Sequence, residues 1–297
     1  MYPDLSPTLL IALAAAAELA SLLLFGRANT LWRSPGMLQY PQRFLVIRSV
    51  LVLVWVHLGV WAIAPEGLAA SYPAVASSSL WLLLLGMLGG LGLLLFSLSI
   101  RSMPAQLVFF GGSLHLIVAV CVGWLLGELV SPLRLLVIAL LLGAQILVLW
   151  RDRASWSSLR GAARLMPFVV GVIWGTYFPL YGLALKQWGF WPTVIATEWG
   201  VLLLMLCWFA FRRSGTWRDA GMWRAMTEQS VLSSVAQVLS GVALWWGGVI
   251  FHSILTNFNV VVNLTAFKIR FGETTSLRYL GYFLLYIALA AALVLGS

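Results

Sequence analysis

Apolar residues in this chain come in blocks, not in alternation. Stretches of about 18 or more mostly apolar residues recur from one end to the other, and short polar or basic connections separate them. Blocks of that length predict helices that cross a bilayer. A β-barrel is excluded by the same pattern, because its strands would alternate apolar and polar positions. Ten spans are expected, at roughly 7–25, 45–64, 80–99, 105–127, 133–150, 167–186, 192–211, 230–250, 252–269 and 279–296. The fold class that follows is all-α, a polytopic membrane protein of ten transmembrane helices. Three longer connections carry arginines: 26–44, 151–166 and 212–229.

One short phrase occurs twice. Gly127-Glu128-x-x-Ser131 and Gly272-Glu273-x-x-Ser276 each close one apolar block and precede another, 145 residues apart. Pro41 and Pro192, which open spans 2 and 7, are separated by 151. Similar offsets at two places divide the chain into halves of five spans, 1–150 and 151–297, with the joint in the 151–166 loop. Five is odd, so the second half enters the membrane in the opposite sense and the repeat is inverted. Inversion puts Glu128 and Glu273 on opposite faces, where they cannot share a site. Their expected role is local: Gly permits the turn, and Glu and Ser cap the helix that follows.

Composition agrees with the blocks. With 62% hydrophobic and 9% charged residues there is too little polar surface for a soluble domain. The net charge of +9 would suit a nucleic-acid partner, but its placement excludes one. Sixteen of the 18 basic residues fall after spans 1, 3, 5, 7 and 9, and only Arg134 and Lys186 lie opposite. By the positive-inside rule those connections are cytoplasmic and both termini are outside. The amino-terminal run begins soon after Met-Tyr-Pro-Asp with no basic leader, and Leu9–Phe25 reads as a first span instead of a cleaved signal. Cys121 and Cys207 each sit inside an apolar run, as packing residues. Many of the 16 Trp fall near span ends, as an interfacial belt requires; Trp156, Trp217 and Trp223 in basic connections suggest amphipathic surface segments.

Polar groups inside spans are costly and tend to face the bundle interior. Span 8 places Ser230, Ser233, Ser234, Gln237, Ser240 and Gly241 on one face; span 9 carries Thr256, Asn259 and Asn263 as a stripe. Span 6 puts Trp174, Tyr177 and Tyr181 on a similar stripe, beside a ridge of Gly171, Gly175 and Gly182, with Pro179 set to bend the helix. The Gly pairs 86/90, 123/127 and 171/175 are read as close helix contacts. The polar and aromatic faces are read as a cavity for a small organic molecule with an apolar body and a polar end. The candidate substrate-binding residues are therefore Trp174, Tyr177, Tyr181, Gln237, Thr256, Asn259 and Asn263. Glu18 and Glu198 are the acids inside spans and, with His115, the candidates for proton coupling. His57 reads as a packing residue, and His252 is expected in the short turn between spans 8 and 9.

The chain resembles the drug/metabolite transporter superfamily and, within it, the EamA-like family. Trp174-Gly175-Thr176-Tyr177-Phe178 is similar to the aromatic-Gly opening of that family's second repeat, and Gly127-Glu128 and Gly272-Glu273 are similar to its two closings. The likeness spans nearly the whole chain. It departs in the first repeat, where Ala16-Ala17-Glu18 stands in place of the opening, and in span 7, which carries Glu198-Trp199. The resemblance implies five plus five helices, a secondary transporter working by alternating access, usually an exporter, in the bacterial inner (plasma) membrane. It also implies cytoplasmic termini, against the charge count.

No Gly-x-x-x-x-Gly-Lys loop is present, so a self-contained ATP-driven pump is excluded. No cofactor or metal is expected. The expected partners are a small-molecule substrate and the lipid bilayer; no oligomeric state is implied. Two alternatives are a non-transporting membrane scaffold and an intramembrane hydrolase. Gly111-Gly112-Ser113-x-His115 is loosely similar to a hydrolase site, but positions i and i+2 project to different helix faces.

Overall fold

The computed structural model describes residues 6–151, 161–211 and 220–272, with single positions at 281, 285 and 289. The expected tenth span, the second Gly-Glu phrase beyond Gly272, and Trp156 and Trp217 lie outside the described residues. Among those described, the chain is helical and holds no strand. The helices are α1 (Pro7–Thr30), α2 (Pro35–Gln39), α3 (Pro41–Ile63), α4 (Pro65–Ser102), α5 (Ala105–Gly112), α6 (His115–Leu125) and α7 (Pro132–Arg151) in the first half. The second half contributes α8 (Met166–Trp188), α9 (Phe190–Phe211), α10 (Ala220–Gly247), α11 (Val249–Thr256) and α12 (Asn259–Phe271).

Proline starts many of these helices, since its missing N–H costs nothing in a first turn. Before Pro7, Ser6 also caps α1 by accepting the Leu9 N–H at 3.3 Å. Eight helical stretches are long and apolar enough to cross a bilayer: Pro7–Arg33, Pro41–Ile63, Leu80–Ser102, Ala105–Leu125, Met166–Trp188, Phe190–Ala210, Gly221–Gly247 and Val249–Phe271. They make the chain an integral membrane protein. The expected fifth span coincides with the 20-residue helix α7.

Boundaries differ from expectation where helix-forming residues carry a helix beyond its apolar block. Helix α10 begins at Ala220, so the end of the expected 212–229 loop is helical, with Trp223 43% exposed on it. Helix α4 absorbs the 65–79 connection and reaches 38 residues, or about 57 Å at 1.5 Å per residue. The turn between spans 8 and 9 falls earlier than expected, at Gly248 with φ +79°, which places His252 inside α11.

The burial pattern is that of a protein solvated by lipid. Leu23, Leu84, Leu147 and Leu203 point outward, while Glu18, Arg48, Glu198, Gln229 and Asn263 are buried. Glycine lets backbones touch: a Cβ on Gly200 would sit 2.8 Å from the Gly86 Cα, locking α4 to α9. One on Gly175 would sit 2.8 Å from the His115 carbonyl, locking α8 to α6. The ridges 86/90 and 171/175 are thus helix contacts, as expected. The 123/127 pair is not one, since nothing lies near Gly127 and the contacts of Gly123 are ordinary. Gly127 serves a turn instead, with φ +88°.

Two crossings are interrupted at their centres. Ala105–Leu125 breaks at Ser113–Leu114 between α5 and α6, and Val249–Phe271 breaks at Asn257–Phe258 between α11 and α12. Each break is stitched by tighter i→i+3 bonds, such as the Leu116 N–H to the Ser113 carbonyl at 3.1 Å and the Phe258 N–H to the Leu255 carbonyl at 2.8 Å. The broken crossings pack on one another, α5 against α12 and α6 against α11.

Glu128 does not cap the helix that follows it, which corrects the sequence reading. Ser131 does, accepting the Arg134 N–H at 3.3 Å. The Glu128 carboxylate instead accepts the N–H groups of Val249 and Ile250, both at 3.1 Å, at the start of α11 in the other half. The two atoms are 121 residues apart in sequence, so spacing could not reveal the bond. An anion at a helix N-terminus satisfies free donors and suits the helix dipole. Glu128→Ala should therefore lower stability by about 1–2 kcal/mol, with Glu128→Gln losing less, read as melting temperature of the purified protein.

Candidate functional site

Around the two breaks lies a cavity of about 180 Å³, roughly ten times what one water needs. Both halves line it. From α1, α3, α4, α5 and α6 come Glu18, Asn29, Arg48, Phe96, Phe109 and His115; from the second half come Trp174, Tyr177, Phe178, Tyr181, Glu198, Gln237, Ser240, His252, Thr256 and Asn259. The faces of spans 6, 8 and 9 singled out from sequence converge here, together with Glu18, Glu198 and His115.

Glu18 is fully buried on α1. Its Oε1 lies 2.9 Å from the Thr256 hydroxyl, which sits equally well to donate to the His252 carbonyl at 2.8 Å. Its Oε2 is 3.4 Å from His252 Nε2, beyond an ordinary hydrogen bond, and accepts none. His252 Nε2 has the Ser240 hydroxyl at 2.8 Å. This cluster joins α1 to α10 and α11, one half of the chain to the other.

A second cluster faces it. Arg48 Nε donates to Gln229 Oε1 at 3.0 Å, and Gln229 Nε2 donates to the Ser233 hydroxyl at 3.0 Å. Gln237 Nε2 donates to Glu198 Oε1 at 2.5 Å, and Arg48 is the opposite charge acting on Glu198. Arg48 was counted among the loop cations; the structure corrects that, for it is buried in α3 and lines the cavity.

Aromatic rings form the rest of the wall. Tyr177 and Tyr181 stack at 5.3 Å, Trp174 lies 5.2 Å from Phe96, and Phe178 lies 5.0 Å from the His252 ring. The polar face of span 8 divides in two. Ser233, Gln237, Ser240 and Gly241 line the cavity, while Ser230 and Ser234 return their hydrogens to carbonyls of their own helix, at 2.9 and 2.7 Å. Ser113 and His115 both line the cavity without bonding to each other: Ser113 donates to the Phe110 carbonyl at 2.5 Å and His115 Nδ1 faces the Gly112 carbonyl at 3.2 Å. His57 Nδ1 faces the Leu53 carbonyl of its own helix at 2.7 Å.

Sequence reading missed Arg48, Gln229, His252 and Phe178. The first two sit on helix faces that only the packing of α3 against α10 brings inward. A better placed turn, at Gly247-Gly248, would have put His252 on one helix face with Thr256.

Asn263 is the exception among the candidates. It is fully buried below the cavity and does not line it. Its Oδ1 accepts the Asn29 side-chain N–H at 2.9 Å, its Nδ2 donates to the Asn259 carbonyl at 2.7 Å and also contacts Asn259 Oδ1. Trp32 Nε1 donates to Asn29 Oδ1 at 3.1 Å, extending the ladder. Asn263 is thus a structural tie between α1 and α12. Asn263→Ala should cost about 1–3 kcal/mol of stability, seen as a lower melting temperature, by stranding the buried Asn29 donor.

Fold and cavity define a helical integral membrane protein with a polar, aromatic-walled chamber at its centre. No family model matches the chain, and no curated relative matches it. A solved crystal structure, one of 24 matching chains, superposes with a TM-score of 0.70 at 16% identity, over 95% of this chain and 96% of its own. It is described only as a protein, and the likeness carries the fold alone.

Proposed function

We propose that the chain is a secondary transporter that moves a small organic metabolite, amino-acid-like or drug-like, across the membrane by alternating access. It is not an enzyme in this reading. The observation that carries it is the chamber at the crossing of two broken spans, lined from both halves. Interrupted crossings with ligand groups at mid-membrane are the pattern of inverted-repeat transporters.

The inverted repeat of two five-helix units, 1–150 and 151–297, belongs to this proposal and has further support. The breaks at Ser113 and Asn257 are 144 positions apart, against 145 for the Gly-Glu phrases. Packing is also paired: α1 lies on α10 as α8 lies on α4, and α9 lies on α4 as α3 lies on α10. The likeness to the EamA-like drug/metabolite transporters stays part of the same proposal, and so does export. Glu18 is the coupling group, through proton binding or exchange, with His252, Thr256 and Ser240 around it.

In proteoliposomes, flux of labelled aromatic amino acids and amines should fall about ten-fold or more in Glu18→Gln and in a Tyr177→Ala, Tyr181→Ala double variant. Wild-type flux that neither variant reduces would remove these residues from the site, and no flux for any compound would leave a scaffold.

Orientation rests on the basic connections. Several gather at one end of the molecule, where Arg27 pairs with Glu228 at 2.7 Å, Arg33 donates to the Ile100 carbonyl and Arg270 donates to the Thr30 hydroxyl. With that end cytoplasmic, a reporter fused after Ser297 that works only in the cytoplasm should stay silent. Reporter activity would reverse the orientation or change the number of spans.

A further inference from the structure

Resting on the transport reading, we propose that the chamber takes a ligand with a protonated amine on an aromatic or apolar body, and that Glu18 receives the ammonium. The charges at the wall lead to this. Besides the histidines His115 and His252, the ionic groups there are Arg48, Glu198 and Glu18, one cation against two acids.

Glu198 feels the Arg48 charge, although its Oε2, like that of Glu18, accepts no hydrogen bond. Glu198 Oε1 accepts from Gln237 at 2.5 Å, while Arg48 Nε is held by Gln229. Glu18 has no such cation. It is fully buried, and its Oε2 accepts no hydrogen bond; His252 Nε2 lies 3.4 Å away and is itself 2.8 Å from the Ser240 hydroxyl. A buried carboxylate oxygen without a donor is costly. An ammonium supplies donors and the opposite charge together. Tyr177, Tyr181, Trp174 and Phe178 then offer ring faces to the body and to the cation. A ligand carrying only a carboxylate meets two acids and a single cation, Arg48, whose charge Glu198 already shares.

The test is equilibrium binding of 2-phenylethylamine and 3-phenylpropionate, similar in body and opposite in charge, to the full-length protein in detergent. Wild type should favour the amine by about ten-fold or more, the order of one charge-assisted hydrogen bond. Glu18→Gln should erase the preference and Glu18→Asp should keep part of it, with melting curves showing that both variants are folded. Equal binding of the two probes would mean that His252 carries a balancing proton, and would overturn the proposal. So would tighter binding of the carboxylate, binding of neither probe, or a preference that survives Glu18→Gln. Amine-selective binding without flux would defeat the transport reading and leave this one standing; flux of carboxylates without amine binding would do the reverse.

Discussion

Hydrocarbon offers no water to a polar group, and this constraint shapes the whole chain. Each break in a crossing exposes backbone donors and carbonyls that protein must satisfy. At the start of α11 the Glu128 carboxylate does so from the other half of the chain, and at the centres of the broken crossings tightened turns do. Hydroxyls inside helices follow the same rule: Ser97, Ser99, Thr197 and Ser234 return their hydrogens to carbonyls three or four residues back. Among the buried side-chain atoms without a hydrogen bond in the described residues, Glu18 Oε2, Glu198 Oε2, His115 Nε2 and Tyr181 OH belong to residues that line one chamber, whereas Ser34, Ser49 and Ser253 lie outside it.

The polar bonds also connect the halves at different heights. Near the basic end, Arg27 reaches Glu228 and Asn29 reaches Asn263; at the centre, Glu18 meets Thr256 and Arg48 meets Gln229; at the far end, Glu128 holds α11. Close glycine contacts add α4 to α9 and α6 to α8. If the halves rock, the end layers must give way in turn while the central layer keeps its ligand groups together. The surface-exposed Arg27–Glu228 pair is suited to that, because exposed ion pairs contribute little and reform readily.

Much of the fold was legible in sequence, because span-length apolar blocks are a strong signal and lipid tolerates few alternatives. Eight of the expected spans are described helices long and apolar enough to cross, and α7 lies at the place of the fifth. The boundaries were harder. Arg224 and Glu228 interrupt the hydropathy of α10 without interrupting its helix. Trp174, Tyr177, Tyr181, Gln237, Thr256 and Asn259, grouped by helical projection, all line the chamber, because a polar face inside a span has few places to point. Projection misjudged Asn263, since a stripe does not say where along its length the cavity stops. It could not foresee the Glu128 bond to α11, which depends on two segments that only the fold brings together.

The departure of the first half from the second then gains a physical sense. Where span 6 carries Trp174-Gly175 and packs by its glycine against α6, span 1 carries Ala17-Glu18. Two identical halves would give a chamber with matching ends, able to hold a ligand in two equivalent poses. Here α8 supplies Trp174, Tyr177, Phe178 and Tyr181 and α1 supplies Glu18, while Phe96 and Phe109 from the first half and Glu198 from the second complete the wall. On the proposed reading, a ligand with a charged end and an apolar body would favour the pose that brings its charge to Glu18 and its body to the α8 rings. On the proposed transport reading, this difference between α1 and α8 would favour one orientation of the ligand.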